Sequence, residues 1–284
     1  MSGSAGRLTI LLLAMGLIWV PFPVSAQSLV EIRVLPLTDP PEGMADFAMP
    51  PWGEPCFVLD QLRMEVIAFR AGGEVAGRYG GWGTGSMALD FPIAIEAAEN
   101  SLFVLDQGRR QILRLDPQLN PVAVTPLPAE HLPVAFVRDT QQRFWVSFEN
   151  RAGVLLIDDR GAILDVIGDE RSGGTAIHHP ALLAPTAAGT AVWDEVNGSL
   201  FLYQLSGRLL RQISLPDVNG VLDMAVLDTW LFLLTSDGCL AIDTESGRTR
   251  LPAGCDGVIS IVSRSPYLYG LHQEGKLLQF RLQE

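Results

Sequence analysis

Basic side chains are scarce in this chain. Twenty lysines and arginines stand against 32 aspartates and glutamates, a net charge of −12 over 284 residues. A surface of that sign repels nucleic-acid phosphates and anionic lipid headgroups, so neither is expected as a main partner. Charge of either sign is sparse, at 18% against about 25% in average soluble domains. With 48% hydrophobic residues the chain is nonetheless not a disordered one. No Gly-x-Ser-x-Gly elbow, no His-Glu-x-x-His pair and no Gly-Lys-Ser/Thr phosphate loop occurs. The glycine-rich run Gly80-Gly81-Trp82-Gly83-Thr84-Gly85 has no such lysine and no helix pattern after it, so it reads as a crossover loop. Nothing in the sequence reads as a long amphipathic helix.

What the chain does have is glycine (28) and proline (19), the residues of many tight turns. It opens with one basic residue, Arg7, an apolar run from Leu8 to Val20, and the short side chains Val24-Ser25-Ala26. That pattern reads as a secretory signal peptide over residues 1–26 with a cut before Gln27, an uncleaved N-terminal anchor being the alternative. The apolar run is short for a membrane helix of about 20 residues. A periplasmic or secreted location is therefore expected, with residues 27–284 as the mature domain.

Written in register, the mature chain repeats. CFVLDQLRMEVIAFR (56–70), LFVLDQGRRQILRLD (102–116), FWVSFENRAGVLLID (144–158) and TAVWDEVNGSLFLYQ (190–204) align, and shorter copies follow at 231–243 and 268–280. The equivalent strand-end positions are Asp60, Asp106, Phe148, Asp194, Thr235 and His272, spaced 37 to 46 residues apart. Each copy holds two apolar runs around a polar loop, a Gly turn, a third run, and a further run often opened by Pro (Pro92, Pro133, Pro180). Four short antiparallel strands per unit of this length is the signature of a propeller blade. The expected fold is all-β, a six-bladed β-propeller of four-stranded blades. The last copy lacks a fourth strand, and Leu29–Leu35 supplies one, closing the ring beside residues 276–282. The Pro-rich stretch 36–55 is a lead-in that gives the first blade an irregular inner strand.

The run Gly80…Phe91-Pro92…Leu102-Phe103-Val104-Leu105-Asp106…Gln111-Ile112 resembles the NHL-repeat family of six-bladed propellers, most closely over the first three blades. The resemblance implies a binding platform in most cases and a lyase or lactonase in a few. Lyases of that kind place metal-ligating histidines directly after the Pro that opens the inner strand; here those positions are Ile93, Val134 and Ala181. The acid set of the lactonase type is not in order either, since Glu31 falls on the closing strand.

Alternation of strand direction places Asp60, Asp106, Asp194 and His272 on the same face as the interblade loops. That face gathers Trp82, the pair Arg109-Arg110, His178-His179 and His131. It is the expected ligand or partner surface. An Asp repeated once per blade also has a purely structural use, as acceptor for loop N–H groups. Cys239 starts the third strand of blade five and Cys255 ends the fourth, facing one another about Gly247, so a disulfide is expected in an oxidising compartment; two buried thiols are the alternative. Cys56 reads as core.

The reading that results is an exported, monomeric, non-catalytic propeller that binds an envelope protein or small ligand and needs no cofactor. The alternative is a metal-dependent hydrolase or lyase holding Ca or Zn in the axial mouth.

Overall fold

A computed structural model describes residues 29–251 and 254–282; the signal-peptide segment lies outside them. The described chain forms six four-stranded antiparallel sheets, each a sequential meander. The second strands are Cys56–Asp60, Ser101–Asp106, Phe144–Phe148, Gly189–Asp194, Trp230–Thr235 and Tyr267–His272. Every one ends on the residue that the repeat singles out. The inner strands are Met44–Ala48, Pro92–Ala98, Pro133–Arg138, Pro180–Pro185, Val221–Leu227 and Val258–Arg264.

The chain is thus a six-bladed propeller, with the ring closed by Leu29–Pro36 as the outer strand of the sixth blade, paired from Leu29↔Leu282 to Pro36↔Lys276. The lead-in does contain an inner strand, Met44–Ala48, shorter than the others and preceded by a loop.

Second and third strands are apolar on both faces because each sheet is covered by a neighbour on both sides. The result is six apolar clusters, one per blade interface. Phe57, Leu59, Ile95 and Leu102 fill the contact of blades 1 and 2. Phe103, Phe136, Phe144 and Phe148 fill that of blades 2 and 3. Phe47, Val58, Leu271 and Leu277 fill the closing contact of blades 6 and 1. Outer strands are mostly half-buried or exposed, as in Leu209–Ser214, because solvent lies beyond them.

Blade 5 departs from the expectation. Its outer strand is only Thr249–Arg250, so Cys255 does not end that strand but lies in the loop beyond it. The disulfide Cys239–Cys255 is present all the same, with Cα atoms 5.8 Å apart. Cys56 is a buried free thiol in the blade 6–1 core.

Candidate functional sites at the upper rim and on the axis

The end of the ring where second strands finish is here called the upper rim. Asp60, Asp106 and Asp194 stand there, fully buried. Oδ1 of Asp60 and of Asp106 and both oxygens of Asp194 accept loop N–H groups, while Oδ2 of Asp60 and of Asp106 is buried without a hydrogen-bond partner. Asp60 accepts from Arg63 N at 3.1 Å, and Asp106 from Asp90 N at 3.1 Å and Arg109 N at 3.4 Å. Asp194 accepts from His178 N, His179 N, Val196 N, Asn197 N and the Asn197 amide. The three acids hold the rim loops in shape. Burial raises the Asp106 pKa against the backbone N–H groups that lower it.

The histidines are dispersed around the ring. His131 precedes blade 3 and packs its ring 6.4 Å from Phe148. His178 and His179 precede blade 4, with His179 Nδ1 3.4 Å from Glu195. His272 ends a strand of blade 6, where its Nδ1 accepts from Glu274 N at 3.1 Å. Among the described residues no group of three His, Cys, Asp or Glu stands close enough to hold a metal ion.

Trp82 is different in kind. It is 75% exposed, yet its indole N–H donates to Leu62 O at 3.1 Å, which fixes the ring on the surface. Leu62 (62% exposed), Met87 (52%) and Phe91 (45%) are exposed on the same pair of blades. Arg109 Nη2 donates to Gly85 O at 3.3 Å and its Nε lies 3.9 Å from Asp106, which pins the crossover loop over blade 2. Arg110 is half-buried, and its carbonyl accepts from Leu127 N at 2.9 Å.

A second group, which the sequence reading missed, lies on the axis. The inner strands surround a cavity of about 200 Å³ lined by Asp46, Glu96, Asp223, Ser260 and Arg264. Each inner strand has a register shift just after its first residue. The residue beyond that bulge is Asp46 in blade 1, Asp223 in blade 5 and Ser260 in blade 6. Ser260 Oγ lies 3.0 Å from Asp46 Oδ1 and 2.7 Å from Asp223 Oδ2. Asp46 Oδ2 also accepts from Ile95 N of blade 2 at 2.8 Å, and Asp223 Oδ2 from Ile261 N of blade 6 at 2.7 Å. Glu96 repeats the device, accepting from Arg138 N of blade 3 at 2.8 Å. Inner strands have a bare edge facing the axis, and these acids satisfy it from the neighbouring blade.

The electrostatics follow from burial. A serine hydroxyl has one proton, so the Asp46–Ser260–Asp223 bridge is complete when one of the two carboxyls is protonated. Desolvation raises both aspartates, and the charge of Asp223 raises Asp46 further. Glu96 is pushed up to about 7 by burial, against the backbone N–H of Arg138 and the guanidiniums of Arg264 and Arg138. Arg264 closes the far end of the channel, donating to Ala97 O at 2.6 Å, Ser263 O at 3.0 Å and Met49 O. Ile93 and Val134, which follow the inner-strand prolines, make the same wall apolar.

Fold and axis together define a closed six-bladed β-propeller. Its likeness to solved structures is of fold alone. Virginiamycin B lyase from Staphylococcus aureus superposes with a TM-score of 0.59 at 13% identity, over 89% of this chain and 88% of that one. A streptogramin B lyase gives 0.57 at 10% identity, over 88% and 97%. The β-propeller domain of Cps50 (Swd1) from Myceliophteria thermophila gives 0.59 at 13%, over 84% and 83%. No family model matches the chain, and no curated protein matches it.

Proposed function

We propose that the chain is an exported, non-catalytic propeller with NHL-type repeats that binds a protein partner of the cell envelope through the upper rim of blades 1 and 2. The observation that carries this reading is Trp82, held by a hydrogen bond in a position where three-quarters of it faces solvent. A fixed, exposed indole beside Leu62, with Met87 and Phe91 exposed on the same pair of blades, has the composition of an interface centre, and Arg109 adds the other side chain enriched in binding hot spots. The rim acids each give at least one oxygen to loop N–H groups, the use expected of structural acceptors. The disulfide Cys239–Cys255 suits an oxidising compartment.

The test is native mass spectrometry of the protein purified gently from its own cells, beside the double variant Trp82→Ala/Arg109→Ala. The wild type should carry a protein-sized mass that the variant loses while it still melts as a cooperatively folded protein. An adduct kept by the variant would remove this rim from consideration, and a wild type carrying only a metal ion would favour the hydrolase or lyase reading.

A further inference from the structure

A second cavity, of about 250 Å³, lies on the opposite side of the ring at the seam of blades 6 and 1. It is independent of the rim. Its first wall comes from ring closure. In the closing strand a β-bulge at Ile32 shifts the register, so that Arg33 falls opposite Gln279, which in turn lies opposite Tyr269. Residues directly opposite in neighbouring strands share a face of the sheet. Arg33, Gln279 and Tyr269 therefore form one polar row across blade 6, and all three line the cavity. Bulges re-aim side chains in this way. The row faces a blade interface that is otherwise apolar.

The other wall comes from blade 1. Between its first two strands, Met44–Ala48 and Cys56–Asp60, runs the loop 49–55, where blade 2 has only residues 99 and 100 between strands. That longer loop brings Met49 and Glu54 to the cavity beside Phe69 and Arg70. Glu54 Oε2 accepts from Ala71 N at 3.2 Å, which turns that oxygen to the backbone, and the lining holds two cations, Arg33 and Arg70, against this one acid. The guanidiniums of Arg33 and Arg70 have no hydrogen-bond or ion-pair partner among the described residues. The Tyr269 hydroxyl accepts from Gln279 Nε2 at 3.1 Å, which leaves its own proton to donate.

The geometry points to a binding site for a small apolar acid, its carboxylate taken by Arg33, Arg70 and the Tyr269 hydroxyl and its hydrocarbon part laid against Met49, Phe69 and Leu277. Two unpartnered guanidiniums beside an apolar floor, in a chain of net charge −12, select an anion, and the fork geometry of arginine suits a carboxylate. The cavity is below the range of about 300–1,000 Å³ typical of drug-sized ligands, so a molecule of a few carbons fits and a long acyl chain does not.

Titration calorimetry of the full chain at pH 7, with hexanoate and with its uncharged isostere hexanamide, tests the assignment. Hexanoate should bind saturably and at least about tenfold more tightly than hexanamide, the difference a charge-assisted pair provides. Arg33→Gln, on an exposed strand, should bring hexanoate down to the amide's level with the melting temperature unchanged. Equal binding of the two compounds, no saturable binding of hexanoate, or wild-type affinity in both Arg33→Gln and Arg70→Gln would each overturn it.

Discussion

Two sets of aspartates show what a single residue position can and cannot reveal. Asp60, Asp106 and Asp194 recur at the repeat period, so their place at the upper rim was legible from the sequence, and their burial follows from it. Asp46 and Asp223 carry the more unusual chemistry and were not legible. Asp46 sits in the Pro-rich lead-in, Asp223 in an otherwise apolar run, and the bulge in every inner strand breaks the alternation that would have aimed both at the axis. Their consequence is a pH dependence of definite sign. Folding raises both carboxyls and Glu96 above the ordinary carboxylate range of about 4. The folded state therefore keeps protons that the unfolded state releases. Stability from these groups is full below about pH 4 and is lost as pH rises through about 7. Seen from the pair, β-strand neighbours add Glu96 from blade 2, Arg138 from blade 3 and Arg264 from blade 6, while the inner strand of blade 4 has no titratable group. Asp223→Asn removes the second charge of the pair and keeps an amide oxygen where Oδ2 accepts from Ile261 N and Ser260 Oγ. It should raise the melting temperature at pH 8 by a few degrees, where about 1 kcal/mol corresponds to roughly 2–4 °C, with the gain vanishing at pH 4.5. A variant destabilised equally at both pH values would show that no proton is shared.

At the scale of elements, hairpins and proline-led inner strands were readable because each rests on local chemistry: a glycine turn, an apolar run, a proline at a strand's first residue. Blade 5 is where local chemistry fails. After Thr249–Arg250 the sequence runs into Leu251, Pro252 and Gly254, and a proline nitrogen has no proton for a ladder. Pairing of the outer strand to the third stops at Ala241↔Arg250. Among the described residues, the half of the third strand that begins at Gly238 has no outer neighbour in the ladder. The disulfide stands in for it, tying Cys239 of that half to Cys255 beyond the short strand, and both sulfurs are packed with Phe232, Leu268 and Phe280. Closing a loop of this length is worth about 3 kcal/mol. Reduction, or the pair Cys239→Ser/Cys255→Ser, should lower unfolding stability by about that amount in a denaturant titration. Reduced protein, verified by mass, that unfolds at the same midpoint would make the bridge incidental.

For the whole molecule the organising fact is that no blade has a core of its own. Each apolar cluster belongs to two neighbouring sheets, so the sixth contact exists only if the chain's two ends meet. The closing strand does this with more than its backbone ladder. Leu29 enters the core of blades 5 and 6, while Leu35 and Leu37 pack in that of blades 6 and 1. Just after the strand, Leu37 N donates to Gly275 O at 2.9 Å and Thr38 N to Gly73 O at 2.8 Å, which ties the last blade to the first. Gly73 is required there: its φ is +87°, and a Cβ would collide with the carbonyl oxygen of Pro36. Removing 29–35 from the mature chain would bare the edge of Lys276–Leu282 and withdraw Leu29 and Leu35 from two cores at once. Full burial of a leucine is worth about 1.5–3 kcal/mol and Leu35 is half-buried, so the truncated ring should lose about 3 kcal/mol even before the six ladder pairs of 29–35 are counted. An open propeller also has an unpaired strand edge, and that edge templates pairing with a second copy. The expected result is a melting temperature lower by 10 °C or more, at about 2–4 °C per kcal/mol, with dimers and larger species in light scattering. Adding the peptide 29–35 in trans should reverse both, because it restores the same ladder and the same two leucines. A truncated chain that stays monomeric and melts with the wild type would mean that the ring holds through the contacts between inner strands and the 36–38 segment alone.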